Sequence, residues 1–167
     1  MARTLQAGSL ESDLFTPPRD RNIVRVPAIT ICQPYTALVC GGSKRTENRT
    51  WSAPFRGRIL IHAGKSRQWL ETADETDLAE LAGKPLIFGA AICAATVLDC
   101  IAWPTVSPSL AMRYSWLHKH RHAHGPYCMV LDDIQPLHEP LPMRGGQKIF
   151  PAELPRDFAI RLGFSPR

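Results

Sequence analysis

The sequence predicts an α+β domain, a small β-barrel with flanking helices. Three observations point there. Runs rich in β-branched residues are separated by helical insertions, without the regular βαβ alternation of a doubly wound sheet. The run from Leu86 to Ala102 is apolar, rich in small residues and uncharged until Asp99, the character of a bent central barrel strand. No glycine-rich dinucleotide fingerprint or phosphate-binding loop occurs in the 167 residues.

Residues 1 to 21 are polar, carry Pro17-Pro18 and show no period, so they are expected to be a flexible lead-in to a domain spanning 22–167. Val24 to Cys32 is β-branched and fits a strand, with Pro27 placing its early part at an edge. A short helix follows. Pro34 suits its first position, Gly41-Gly42 ends it, and Tyr35, Leu38 and Val39 have the spacing of a buried face. Ser43 to Arg56 is polar, basic and extended. Arg58 to Ala63 alternates as a strand, with Ile59, Ile61 and Ala63 on one side and Leu60 and His62 on the other. Ser66 to Ala82 reads as a helix with Trp69, Leu70, Ala73, Leu78 and Leu81 inward and its acids outward, closed by Gly83-Lys84-Pro85. Gly89 marks a bulge or bend in the long apolar run. Tyr127 to Ile134 is a further strand, and Pro155 to Leu162 a short amphipathic helix closed by Gly163.

No apolar run is long enough to cross a bilayer, which needs about 20 such residues, so no membrane partner is expected. The first residues lack the charged-then-apolar layout of a secretory signal. Five cysteines with no Cys-x-x-Cys pair, three of them (Cys32, Cys93 and Cys128) inside apolar runs, predict free thiols and a cytoplasmic location. Net charge is +5, but it is segregated. Between Gly41 and Trp69 seven bases face one acid, Glu47, a net of +6; Glu71, Asp74, Glu75, Asp77 and Glu80 then follow with no base before Lys84. That distribution predicts a basic cleft for an anionic partner.

Within the basic segment, the Gly41-Gly42 turn lets backbone approach a ligand closely. Arg49 offers a rigid donor fork for phosphate or carboxylate, and Lys44 a mobile point charge. Asn48 has the paired donor and acceptor that read a base edge, and Trp51 a stacking surface. In an extended chain, positions 45, 47 and 49 share one side and 44, 46 and 48 the other. The bland alternatives are a Lys44–Glu47 charge pair, a loop-tying Arg49, a core Trp51 and a structural His62 at the end of its strand. His118, His120, His122 and His124 alternate and project together if extended. Because Lys119 and Arg121 intervene and no acid or cysteine joins them, a surface loop gaining charge at mildly acidic pH is the better reading than a metal site. No cofactor is expected.

Ile31 to Trp51, ICQPYTALVCGGSKRTENRTW, resembles the opening of the ASCH family, with Gln33, Pro34, Tyr35, Gly42, Lys44, Glu47 and Arg49 at its motif positions. The resemblance continues through FRGRILIHAGKS (Phe55–Ser66), the strand from Gly89 to Asp99, GPYCMVL (Gly125–Leu131) and the turn from Arg144 to Lys148. It implies a PUA-like barrel and RNA, or a modified nucleotide, as partner. The expected ligand-binding set is Gln33, Pro34, Lys44, Glu47, Asn48, Arg49, Trp51, Arg56 and His62.

Some ASCH relatives are amidohydrolases on acylated cytidine, using a Lys, a Thr three residues on and a distant Glu. Lys44 matches, but Glu47 stands where they carry Thr, and a carboxylate there opposes lysine as base or nucleophile. No acid lies between Ser107 and His124 to serve as the distant one. Lys44 and Glu47 are the catalytic candidates if the chain is an enzyme; a ribonuclease would add His62 or a loop histidine as base. A binding module is the preferred expectation, with affinity falling steeply with salt. A non-catalytic protein-interaction adaptor is the third alternative.

Overall fold

The computed structural model describes residues 22–165, so the predicted lead-in lies outside the described residues. Six strands, β1 (Ile23–Ile31), β2 (Thr46–Arg49), β3 (Gly57–Ala63), β4 (Ala90–Ala102), β5 (Tyr127–Pro142) and β6 (Ile149–Pro155), form one sheet in the order β2-β5-β4-β3-β1-β6. β1 and β3 run parallel, and the other neighbours pair antiparallel. Helices α1 (Tyr35–Cys40), α2 (Glu75–Glu80), α3 (Pro108–Arg113) and α4 (Arg156–Arg161) occupy the connections, with 3₁₀ turns at Gln68–Leu70 and Ser115–Lys119.

The α+β class agrees with expectation; the closed barrel does not. Among the described residues no ladder joins the edge strands β2 and β6, so the sheet stays open. β2 is four residues long, and β6 carries Pro151 and Pro155, which have no N–H to donate. The same prolines hid β6 from sequence reading, because they are tolerated only where a strand lies at an edge. Register shifts at Ile61/His62 and at three points along β4–β5 bend the sheet without closing it. Gly89, at φ +68°, turns the chain into β4 as expected.

Strand periodicity sorts the core into two faces. Ile29, Ile31, Ile59, Ile61 and Ala63 join Val39 of α1, while Val24, Val26, Ala28 and Leu60 join Ala159 of α4 on the other face. Ile59, Leu60 and Ile61 are fully buried, and each such side chain contributes about 1.5–3 kcal/mol over leaving it exposed. Coverage of both faces explains why β4 reads as a continuous apolar run. Pro27 sits just before β3 begins to pair with β1 at Ala28, so one side of it is an edge, as expected. A third cluster, Ile101, Tyr114, Leu117, Ala123, Cys128 and Val130, pins the histidine-rich connection to the ends of β4 and β5.

The helix expected over Ser66–Ala82 is broken. Asp74, in extended conformation, accepts a hydrogen bond from the Thr76 N–H and starts a new helix, α2. That restart rotates the pattern: Trp69 and Leu78 are exposed, whereas Asp77 is buried at 3% exposure.

Candidate functional site

A cleft of about 730 Å³ opens beside the short strand β2. Its walls come from the end of β1 (Thr30–Cys32), Tyr35 of α1, Lys44 to Arg49, the segment from Trp69 to Asp77, and the loop Arg121–His124. The volume lies in the usual range for ligand pockets, about 300–1,000 Å³.

Local sequence explains how the first wall is built. Gln33 caps α1 by accepting from the Ala37 N–H (3.1 Å) and donates to the Ile87 carbonyl (2.7 Å). Thr36 donates to the Ile31 carbonyl (2.6 Å), locking α1 against β1. Gly42, at φ +84°, reverses the chain after α1 in a conformation most side chains resist, and delivers Lys44 to the cleft. The Lys44 ammonium donates to the Thr46 carbonyl and, at 2.7 Å, to Glu47 Oε2. Arg49 bridges the other Glu47 oxygen (3.0 Å) and donates to the Thr30 carbonyl (2.6 Å). One carboxylate thus holds two cations, with the Lys44 side chain 4% and that of Glu47 11% exposed.

The opposite wall is the histidine loop, and β2 clamps it. Thr46 Oγ1 and Asn48 Nδ2 both donate to the His122 carbonyl (2.8 and 2.9 Å), and Asn48 Oδ1 accepts from the His124 N–H (3.0 Å). These bonds place the His122 ring 3.4 Å from Asp77 Oδ1, which also lies 2.6 Å from Arg121. Burial pushes the His122 pKa below its ordinary value against the opposing pull of Asp77, so the ring is neutral at pH 7. Burial likewise holds the Cys32 thiol up, so it is no thiolate at neutral pH. At the rim Trp69, 47% exposed, meets Tyr35 edge to face at 6.4 Å.

The ASCH domain model matches residues 29–123, more than half of the chain. The chain belongs to the ASCH domain family. ASCH domains fall in the PUA-like superfamily and are generally linked to RNA binding. The match begins in β1 and ends in the histidine loop, so it takes in every lining residue of the cleft except His124. No curated protein matches the chain.

Of the residues singled out from the sequence, the ASCH cleft brings together Lys44, Glu47, Asn48 and Arg49. Asn48 spends its amide on the loop rather than presenting it free. Gln33 is fully buried and Pro34 buried; they serve the turn into α1. Trp51 packs against the core under the Arg49 guanidinium (5.9 Å) and does not line the cleft. Arg56 points elsewhere, to Asp99 and the Ala53 and Phe55 carbonyls. His62, at 2% exposure, lies between Thr30 Oγ1 and the Met143 carbonyl, a structural imidazole outside the lining.

The expected basic cleft is also corrected. Arg45, Arg56 and Arg58 pair with Asp132, Asp99 and Asp133 away from it, and the lining cations Lys44, Arg49 and Arg121 face Glu47, Asp74 and Asp77. The shared side expected for 45, 47 and 49 holds only for 47 and 49, because Arg45 precedes β2 and turns to Asp132 and Trp116. Nor do the four histidines share a side. His118 packs on Trp103, His120 on Trp116, and His122 and His124 line the cleft. Sequence reading missed Trp69, Asp77, Arg121 and His122 as cleft residues. The one available signal was Asp74, a good helix N-cap eight residues into a supposed helix.

Proposed function

We propose that this ASCH domain binds RNA or a modified nucleotide by taking one nucleotide unit into the cleft, with Trp69 stacking on the base. The carrying observation is the exposed Trp69 braced by Tyr35 at the rim of a cleft of about 730 Å³. A large indole held half out of the protein above a polar pocket suits a base better than it suits solvent, and stacking of this kind contributes about 1–3 kcal/mol per base. Lys44, Glu47 and Arg49 form the polar floor. A cytoplasmic location fits this role. The test is titration of the protein with a panel of RNA oligonucleotides and free unmodified and modified nucleotides. Trp69→Ala and Arg49→Ala are each expected to weaken binding about tenfold, and unchanged affinity in both would overturn the reading.

A second reading, hydrolysis of a modified nucleoside such as acylated cytidine, gains support from Asp77. The acid that the segment before His124 lacks reaches the cleft from α2, beside a neutral His122 able to accept a proton. Turnover of acylated cytidine that disappears in His122→Gln and Asp77→Asn would favour this reading, and no turnover by the native protein would remove it. Cleavage of an RNA oligonucleotide is the corresponding assay for a ribonuclease.

A further inference from the structure

Every cationic head on the cleft lining has a carboxylate within reach. Glu47 lies 2.7 Å from Lys44 and 3.0 Å from Arg49, and Asp77 lies 2.6 Å from Arg121. Glu80, at 3.2 Å, is a second partner for Arg121. With Asp74 added, three acids face three bases, and burial keeps His122 neutral. A phosphate monoester brings nearly two negative charges. Placed here it would lose water beside Glu47 and Asp77, while each cation it needs is already ion-paired, Arg49 Nε being left as a buried donor without a hydrogen-bond partner among the described residues. An uncharged base suffers neither penalty.

The same wall also has open hydrogen-bonding capacity. Asp77 Oδ1 and His122 Nε2 have no hydrogen-bond partner among the described residues, although their side chains are only 4% and 7% exposed. Arg121 is close to Asp77 Oδ1 but out of line for a hydrogen bond, and its own side chain is 40% exposed. Buried polar atoms left unpaired are unfavourable, so a ligand that pairs them recovers that loss. An acceptor-only carboxylate beside an imidazole nitrogen complements an edge carrying an N–H, which nucleobases have and phosphates lack.

We propose that the cleft selects the uncharged base of its ligand, reading an N–H-bearing edge through Asp77 and His122 once Arg121 swings aside, and leaves phosphate groups in solvent. This inference rests on the reading of the cleft as a nucleotide site. Its test is calorimetric titration and thermal shift of the full chain with nucleosides, unmodified and N-acylated or N-methylated, with their 5′-monophosphates, and with inorganic phosphate, at low and high salt. At least one nucleoside is expected to bind within threefold of its monophosphate, with affinity nearly constant across salt. Asp77→Asn should weaken that binding tenfold or more, and Asp132→Asn, which lies outside the cleft and pairs with Arg45, should leave it within twofold. A monophosphate or inorganic phosphate binding tenfold tighter than every nucleoside, with a steep salt dependence, would overturn the inference and leave the nucleotide site standing. Silence from every nucleoside, nucleotide and RNA oligonucleotide would overturn both.

Discussion

Glu47 is the residue on which the cleft floor turns, because its two oxygens serve Lys44 and Arg49 separately. Breaking a buried pair by removing one partner costs about 3–5 kcal/mol, since it leaves the other charge desolvated and uncompensated. The two ends are unequal here. Glu47→Ala strands both a buried lysine and a partly buried arginine, whereas Lys44→Ala leaves Glu47 still paired with Arg49. Urea denaturation should therefore show Glu47→Ala destabilised by about 3–5 kcal/mol and Lys44→Ala by clearly less. Equal losses would mean that Arg49 does not hold Glu47. At this scale the sequence was informative in part about which residues meet: Lys44, Glu47 and Arg49 all stand at positions of the family motif and do meet, although alternation in an extended chain put Lys44 on the side opposite Glu47 and Arg49. It was uninformative about which of two tryptophans, Trp51 or Trp69, lines the cleft. Trp51 stands within the basic motif yet packs on the core, while Trp69 stands among helix-like residues yet is exposed. A tryptophan is equally at home in either setting, and only the fold around it decides.

The elements show where local pattern is overridden. β1 and β3 were legible because their β-branched and aliphatic runs favour a strand, and the two core faces follow their odd and even positions. β2 was legible only as an extended segment; what makes it a strand is its pairing with β5. The region of α2 was misread because apolar residues at helical spacing outweighed one polar residue, Asp74, whose carboxylate competes for backbone N–H groups and restarts the helix. That cap does more than end a turn. It sets the rotation of α2, and with it the direction of Asp77, three residues on. Asp74→Ala should lower the Tm measurably, as loss of an N-cap does. Because α2 then frays, it should also weaken the Asp77–Arg121 contact, visible as shifted His122 ring resonances by NMR. Asp74→Ser, which keeps a capping oxygen, should restore most of the stability and leave those resonances near their native positions.

Across the whole molecule the charges cancel locally, which composition could not reveal. A segment of net +6 folds so that Arg45, Arg56 and Arg58 reach Asp132, Asp99 and Asp133 from distant parts of the chain, while Arg49 takes Glu47 from the segment itself. Within the loop, His120 and His122 depart from the expectation of a loop that charges in mild acid. Burial lowers the pKa of His62 and His122, and brings that of His120 to about 4, reinforced by His122, Lys44, Arg45 and Arg121 around it. His120 also accepts the Arg45 N–H at 3.1 Å, which requires an unprotonated nitrogen. In the unfolded chain each of these rings titrates near 6.5. Between about 6.5 and 4 the unfolded state therefore binds more protons than the folded one, so stability rises with pH in that window. The contribution is fully present above about pH 6.5 and is lost as pH falls toward 4. Thermal unfolding followed from pH 7.5 to 4 should show a flat Tm at the upper end and a steady fall below about 6.5. His120→Gln, which keeps an acceptor for Arg45 but cannot take up a proton, should flatten part of that fall. A Tm that held constant down to pH 4.5, or a His120→Gln profile parallel to the native one, would mean that the loop opens to solvent and its histidines titrate freely.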